Sequence, residues 1–374
     1  MEKHHFRHAK RVVVKLGSNV ITAKNDLNME VIETISNQIS SLMRRGMEVI
    51  LVSSGAMSAG MRRMKMTSRP HEIPKRQAIS AIGQSGVMHA YEQSFAKNGV
   101  QTAQMLLTGD DLTNRKRYLN SRNTLQTLID WKIVPVINEN DTITVEEIKV
   151  GDNDNLAAMI TLLMDADFLC ILTDIDGLYD KDPRQFPDAK IIPRVEECQR
   201  EIEEFASSIP GALGTGGMLS KIQAAKKVTS AGIPMIITRG NTENVLLRLF
   251  HGEDLGTYFV PRERKMASRK CWIAHTVAPK GSIVIDEGAV RAVSQKGKSL
   301  LPIGIVSVEG EFEEGDAIDF KTTGNEVVGV GLVNYSSLDI QLIKGLKTFQ
   351  IKACLGDNHH DEIIHRNNLV LKNY

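Results

Sequence analysis

The chain has 374 residues, 42% of them hydrophobic, with 46 basic side chains against 45 acidic ones and a formal net charge of +1. That length exceeds what one hydrophobic core usually organises, so two domains are expected. The near-neutral balance excludes a polybasic nucleic-acid tail or membrane-surface patch, and no apolar run reaches the ~18 residues of a membrane span.

At the amino terminus only Val12-Val13-Val14 precedes Lys15. This run is too short for a signal-peptide core, and a cytoplasmic location is expected. Cys170, Cys198, Cys271 and Cys354 are scattered without a C-x-x-C pair, so neither a disulfide framework nor a zinc site is indicated. The histidines at 4, 5 and 8 and at 359, 360 and 365 are read as solvated rather than metal-binding.

Short β-branched runs at 11–16, 47–53, 100–107, 133–138, 168–173 and 234–238 read as strands. Helices fit between them: Ile32, Ile35, Ile39, Leu42 and Met43 form one stripe that stops at Gly46, and Leu156, Met159, Ile160 and Leu163 form another after Asn153. The alternation predicts a largely parallel sheet covered on both faces, with ligands beyond the carboxyl ends of its strands. Polar residues stand at those ends: Lys15-Leu16-Gly17-Ser18, Ser53-Ser54-Gly55-Ala56, Asn138-Glu139-Asn140-Asp141 and Thr173-Asp174. Ordinary turn chemistry explains any one of them, and explains the whole set poorly.

Gly151-Asp152-Asn153-Asp154-Asn155 opens the second helix with more polar side chains than capping requires. The surplus is open to three uses: orienting lysines, holding a metal through water, or receiving an ammonium group. Further on, Gly211, Gly214, Gly216 and Gly217 lead through Met218-Leu219-Ser220-Lys221 into an amphipathic stretch. Glycines before a helix start, with a lysine at the junction, form a phosphate cradle. The spacing is not that of a P-loop, and Gly297-Lys298-Ser299 fails as one because Ala292 stands where the first glycine is needed. Two lysines, Lys15 and Lys221, would come to one edge of the sheet, where fixed cations suit phosphoryl transfer. After Pro261, short strand-like runs at 282–285, 304–308 and 327–332 between Gly-rich turns predict a small all-β domain, with the boundary near residue 270.

The strand-end motifs, Gly151-Asp152-Asn153-Asp154 and Thr215-Gly216-Gly217-Met218-Leu219-Ser220-Lys221 together resemble the bacterial glutamate 5-kinase family of the amino-acid kinase superfamily. Gly297 to Pro302, Gly310-Glu311-Phe312, Gly331 to Ser337 and Glu362 to Arg366 are similar to the PUA domain that many members carry. The resemblance implies a three-layer α/β sandwich with a mainly parallel central sheet, plus a small all-β PUA domain. It divides the chain into a kinase domain at 1–262, a linker at 263–275 and the PUA domain at 276–374.

By the same resemblance, Lys15, Lys221 and Asp154 carry catalysis. Lys15, Gly17, Ser18, Thr173, Asp174, Thr215, Gly216, Gly217, Met218, Leu219, Ser220 and Lys221 contact ATP, while Ser54, Gly55, Asn138, Asp141, Asp152 and Asn153 contact L-glutamate. The implied reaction phosphorylates the γ-carboxylate of glutamate, with Mg²⁺ taken up chiefly with the nucleotide and no direct protein ligand to the metal assigned. Implied partners are a second copy of the chain and, transiently, γ-glutamyl phosphate reductase; inhibition by proline is implied too. Aspartate, acetylglutamate and carbamate kinases supply the alternative acceptors. Asn19, Ser58 and Ser220 depart from residues common at those family positions. RNA binding by the PUA region is not expected, since 271–374 holds 10 Lys+Arg against 13 Asp+Glu.

Overall fold

The computed structural model describes residues 8–23, 26–143, 153–197, 217–262, 268–275, 279–356 and 360–372. Two compact units divide the chain, one within Met1–Leu112 and Lys116–Lys265, the other within Thr113–Arg115 and Met266–Tyr374.

In the first unit the elements run β1 (Arg11–Leu16), α1 (Met29–Arg44), β2 (Glu48–Ser53), α2 (Ala56–Arg63), α3 (Ile73–Ala96), β3 (Thr102–Leu107), α4 (Arg115–Asp130), β4 (Val134–Glu139), α5 (Asn153–Leu163), β5 (Phe168–Thr173), β6 (Arg194–Val195), α6 (Met218–Ser230), β7 (Met235–Arg239), α7 (Val245–Phe250) and β8 (Thr257–Phe259). Among the described residues these strands form an eight-stranded sheet in the order β3-β4-β2-β1-β5-β7-β8-β6. Only the β7–β8 pairing is antiparallel. The chain builds outward from β1 on one side through β2 to β4, then crosses to β5 and β7 on the other. Such a reversal opens a crevice at the carboxyl ends of β1 and β5, where α/β sheets bind ligands.

Val12, Val13 and Val14 are buried on both faces of the sheet, as a central parallel strand requires. On α1, Ile32, Ile35, Ile39 and Leu42 are buried along one stripe, with the Asn28 side chain capping the first turn at the Val31 N–H. Each such aliphatic side chain contributes about 1.5–3 kcal/mol through burial.

Helices α2 and α3 meet backbone to backbone at Gly60 and Gly83. A Cβ at Gly83 would lie 1.8 Å from the Ala56 carbonyl oxygen, and one at Gly60 would lie 1.9 Å from that of Ile79. Both atoms are main chain and cannot turn aside. Gly83→Ala is therefore expected to destabilise the first unit by about 3 kcal/mol, the upper end for overpacking, read as a fall in its urea midpoint.

The second unit holds a five-stranded sheet of β9 (Gly281–Ile285), β10 (Ile305–Glu309), β11 (Ala317–Lys321), β12 (Val327–Leu332) and β13 (Leu369–Leu371), in the order β10-β9-β11-β12-β13. Ile283, Ile285, Ile318, Phe320, Ile363 and Ile364 fill its core. Helices at Glu287–Ser294, Ser337–Ile343 and Thr348–Leu355 accompany the sheet. Within 263–275, the span read as linker, a helix runs over Ser268–His275 and packs on β12 and β13 with Trp272 and Ile273 buried. Its short apolar stretch is the physical reason it folds there. In the same unit the Ser299 hydroxyl, from the rejected P-loop-like triplet, accepts the Arg366 backbone N–H at 3.0 Å. Among the described residues no helix is long and apolar enough to cross a membrane.

Candidate active site

Lys15 is the one charged residue in the inner run of β1, 4% exposed beside three buried valines. Its ammonium is paired with Oδ1 of Asp154, the second residue of α5. Lys221, in the first turn of α6, pairs with Oδ2 of the same carboxylate at 2.9 Å. Ser220 Oγ lies 2.8 Å from that oxygen and 2.8 Å from the Gly217 carbonyl. An acidic first-turn residue suits the positive end of α5, whereas a lysine in the first turn of α6 opposes that helix's dipole and needs Asp154 as compensation.

Asp154 is fully buried. Burial pushes its carboxyl pKa up, but the Lys15 and Lys221 ammonium groups and their hydrogen bonds outweigh that effect and hold it well below the usual carboxylate range. One carboxylate thus faces two ammonium groups, and the cluster as drawn by these three side chains carries one surplus positive charge.

On the side toward β5, the Gly17 N–H donates to the Leu172 carbonyl at 2.9 Å, tying the end of β1 to the end of β5. Ser18 is exposed in the short helical turn Ser18–Ile21 that follows. Thr173 Oγ1 donates to Asp174 Oδ1 at 3.0 Å, and Asn19 Nδ2 donates to Asp174 Oδ2 at 2.8 Å. Burial raises the Asp174 pKa, but hydrogen bonds from Asn19, its own backbone and Thr173, with the Lys221 charge, bring it below the ordinary value. Gly217 is extended and Met218–Lys221 form the opening turn of α6, so the backbone N–H groups of that turn face outward from a helix start beside Lys221. Thr215, Gly216 and Asp152 lie outside the described residues.

On the other side, Ser54 and Gly55 follow β2. Gly55 has φ +95°, a left-handed conformation, and it starts α2. The Asn153 amide nitrogen reaches Ser54 Oγ at 2.8 Å, Asn138 Oδ1 at 3.0 Å and the Ser53 carbonyl at 3.1 Å. Asn153, Asn138 and Ser54 thereby meet at the ends of α5, β4 and β2. Asp141, just beyond β4, has its pKa raised by burial, partly offset by a hydrogen bond with Ser80 and the charges of Arg76 and Arg69.

The sequence reading missed three side chains, Ser80, Gln84 and Tyr91, all buried on α3. Gln84 Oε1 accepts from Asn138 Nδ2 at 2.7 Å, and the Tyr91 hydroxyl is 2.8 Å from Ser53 Oγ. Spacings of four and seven put them on one helical face, the signal that could have found them. Among the described residues no group of three or more His, Cys, Asp or Glu side chains is arranged to hold a metal ion. Asp154 already has both oxygens engaged by lysines, while Asp174 presents the more accessible carboxylate.

Residues 10–239 match the amino acid kinase family, and residues 281–355 match the PUA domain. Glutamate 5-kinase of Thermoanaerobacter sp. (strain X514) is 48% identical over 362 residues, covering 96% of this chain and 97% of that protein. Glutamate 5-kinase of Syntrophotalea carbinolica is 45% identical over 372 residues and covers 100% of both chains. Glutamate 5-kinase of Geobacter sulfurreducens is 46% identical over 363 residues, covering 97% of each. The chain belongs to the amino acid kinase family and, within it, to the glutamate 5-kinases that carry a PUA domain.

Proposed function

We propose that the protein transfers the γ-phosphoryl group of ATP to the γ-carboxylate of L-glutamate, giving γ-glutamyl phosphate and ADP in the first step toward proline. The observation that carries this reading is the fully buried Asp154 carboxylate holding two lysines at the switch point of the sheet. A side-chain carboxylate with a reference pKa of about 4.3 is ionised at neutral pH. It attacks the γ-phosphorus directly; its oxygen–phosphorus bond forms as the bond to the bridging β–γ oxygen breaks. No proton moves, so the reaction requires no general base.

The physical problem is repulsion between a carboxylate and a triphosphate. Lys15 and Lys221 offset that charge and the charge spreading over the transferring phosphoryl oxygens. Asp154 fixes both ammonium groups in advance, so neither reorganises during the reaction. The α6 turn at Gly217–Lys221 donates its outward N–H groups to phosphate oxygens, and Thr173 and Asp174 line the nucleotide side. Ser54, Asn138, Asn153 and Asp141 receive glutamate. The accessible Asp174 would hold the hydration shell of a Mg²⁺ bound to the triphosphate, and that ion would offset part of the triphosphate charge. An acyl phosphate is short-lived in water, which supports rapid consumption by γ-glutamyl phosphate reductase in the cytoplasm.

Asp141 supplies a pH prediction. Its raised pKa means that burial opposes its charge, and a substrate ammonium group beside it would favour that charge. Affinity for glutamate should therefore weaken as pH falls through the raised Asp141 pKa, read as a rising KM for glutamate at constant KM for ATP. Asp141→Asn should raise that KM and flatten its pH dependence over the same range.

ADP release measured against a panel of glutamate, aspartate, acetylglutamate and carbamate tests the substrate. Glutamate should give the highest kcat/KM. Equal or greater turnover of another acceptor would overturn the assignment.

A further inference from the structure

Ser80, Gln84 and Tyr91 form a polar stripe on α3, and each touches a different part of the acceptor side: Asp141, Asn138 and Ser53 respectively. Ser80 and Tyr91 each find a partner for their one side-chain polar atom. Gln84 is the exception. It is 9% exposed, and its Nε2 is buried with no hydrogen-bond partner among the described residues.

The amide orientations follow from groups with only one role. The Glu139 backbone N–H can only donate, and it bonds Asn138 Oδ1 at 2.9 Å. The other Asn138 atom is therefore the NH₂ group, its partner on Gln84 is the oxygen, and Nε2 is left over. Likewise the Ser53 carbonyl can only accept, so the Asn153 atom 3.1 Å away is nitrogen. That leaves Asn153 Oδ1 buried and also without a partner among the described residues. One donor and one acceptor remain unmet in one polar cluster. An amino acid presents the complementary pair, a carboxylate and an ammonium group, whereas a buried amide left unmet is costly.

We propose that Gln84 is a further substrate-binding residue, its Nε2–H donating to a carboxylate oxygen of the bound amino acid. Its oxygen simultaneously holds Asn138 in place, so one side chain from mid-helix links α3 to the acceptor. The inference rests on the reading of the site as a binder of glutamate.

The competing role for Gln84 is a buttress for Asn138 alone, and two variants separate the roles. Gln84→Glu keeps an oxygen to accept from Asn138 but removes the donor and places a charge against the substrate carboxylate. Gln84→Met removes both hydrogen bonds at similar volume. Initial rates of ADP release are measured with glutamate and ATP varied in turn, beside a thermal midpoint for each variant.

Loss of a hydrogen bond to a charged group should raise KM for glutamate by about 10- to 100-fold in both variants. KM for ATP should stay within about twofold, since the nucleotide side is untouched. A wild-type KM for glutamate in Gln84→Glu would show a buttress only and overturn the proposal, as would parallel rises in both KM values. If the wild-type protein turns over a different amino-acid carboxylate, the substrate reading has failed. The same comparison on that acceptor then decides Gln84 separately.

Discussion

Lys221→Ala should lower kcat by about 10²- to 10³-fold, the usual effect of removing one preorganised electrostatic group from a transition state. The protein should remain folded. Without Lys221, Asp154 still faces Lys15, so a balanced one-to-one pair remains where two cations shared one anion. The variant loses the surplus positive charge that draws the phosphoryl group and retains the charge compensation that the fold needs. Steady-state kinetics and a thermal midpoint on the same preparation check both halves. Full activity in a well-folded Lys221→Ala would remove Lys221 from the chemistry.

Asp154→Asn should affect stability and turnover together. Its loss leaves two ammonium groups, with side chains 6% and 7% exposed, without their shared counter-charge. Removing one partner from a buried ion pair costs about 3–5 kcal/mol, because the remaining charge is stranded. Turnover should fall at least as far as in Lys221→Ala, since both lysines lose their anchor. Nucleotide phosphates would supply the missing negative charge. ADP with Mg²⁺ should therefore raise the melting temperature of Asp154→Asn by more than it raises that of the wild-type protein. Equal shifts would mean that the lysines do not face the phosphates.

The contrast between these two substitutions explains what the sequence could disclose. The strand-end positions of Lys15, Ser54, Asn138 and Thr173 were legible because strand ends can be read from periodicity, and those ends are where a parallel α/β sheet offers a crevice. The central strand runs show the same legibility: 11–16 and 168–173 coincide with β1 and β5, and the second apolar stripe with α5. Orienting the lysines was one of the three uses open to the polar surplus at the start of α5; that each lysine takes a different oxygen of Asp154 emerges only from the packing of β1, α5 and α6. Gln84 was less visible still. It lies mid-helix, where a glutamine reads as an exposed side chain, and only the close crossing of α2 and α3 at Gly60 and Gly83 reveals how tightly that region packs. In the second unit, the Ser268–His275 helix is shorter than the window that helical periodicity needs, so a linker was the natural reading there.

In this mechanism an ionised side-chain carboxylate of glutamate attacks the γ-phosphoryl group of ATP. Trapping with hydroxylamine tests it most directly, because hydroxylamine converts an acyl phosphate into a hydroxamate. The purified protein with ATP, Mg²⁺, glutamate and hydroxylamine should yield γ-glutamyl hydroxamate in proportion to ADP, at a rate that collapses in Lys221→Ala. ADP release without hydroxamate, or no ADP release from glutamate while another acceptor turns over, would contradict the account.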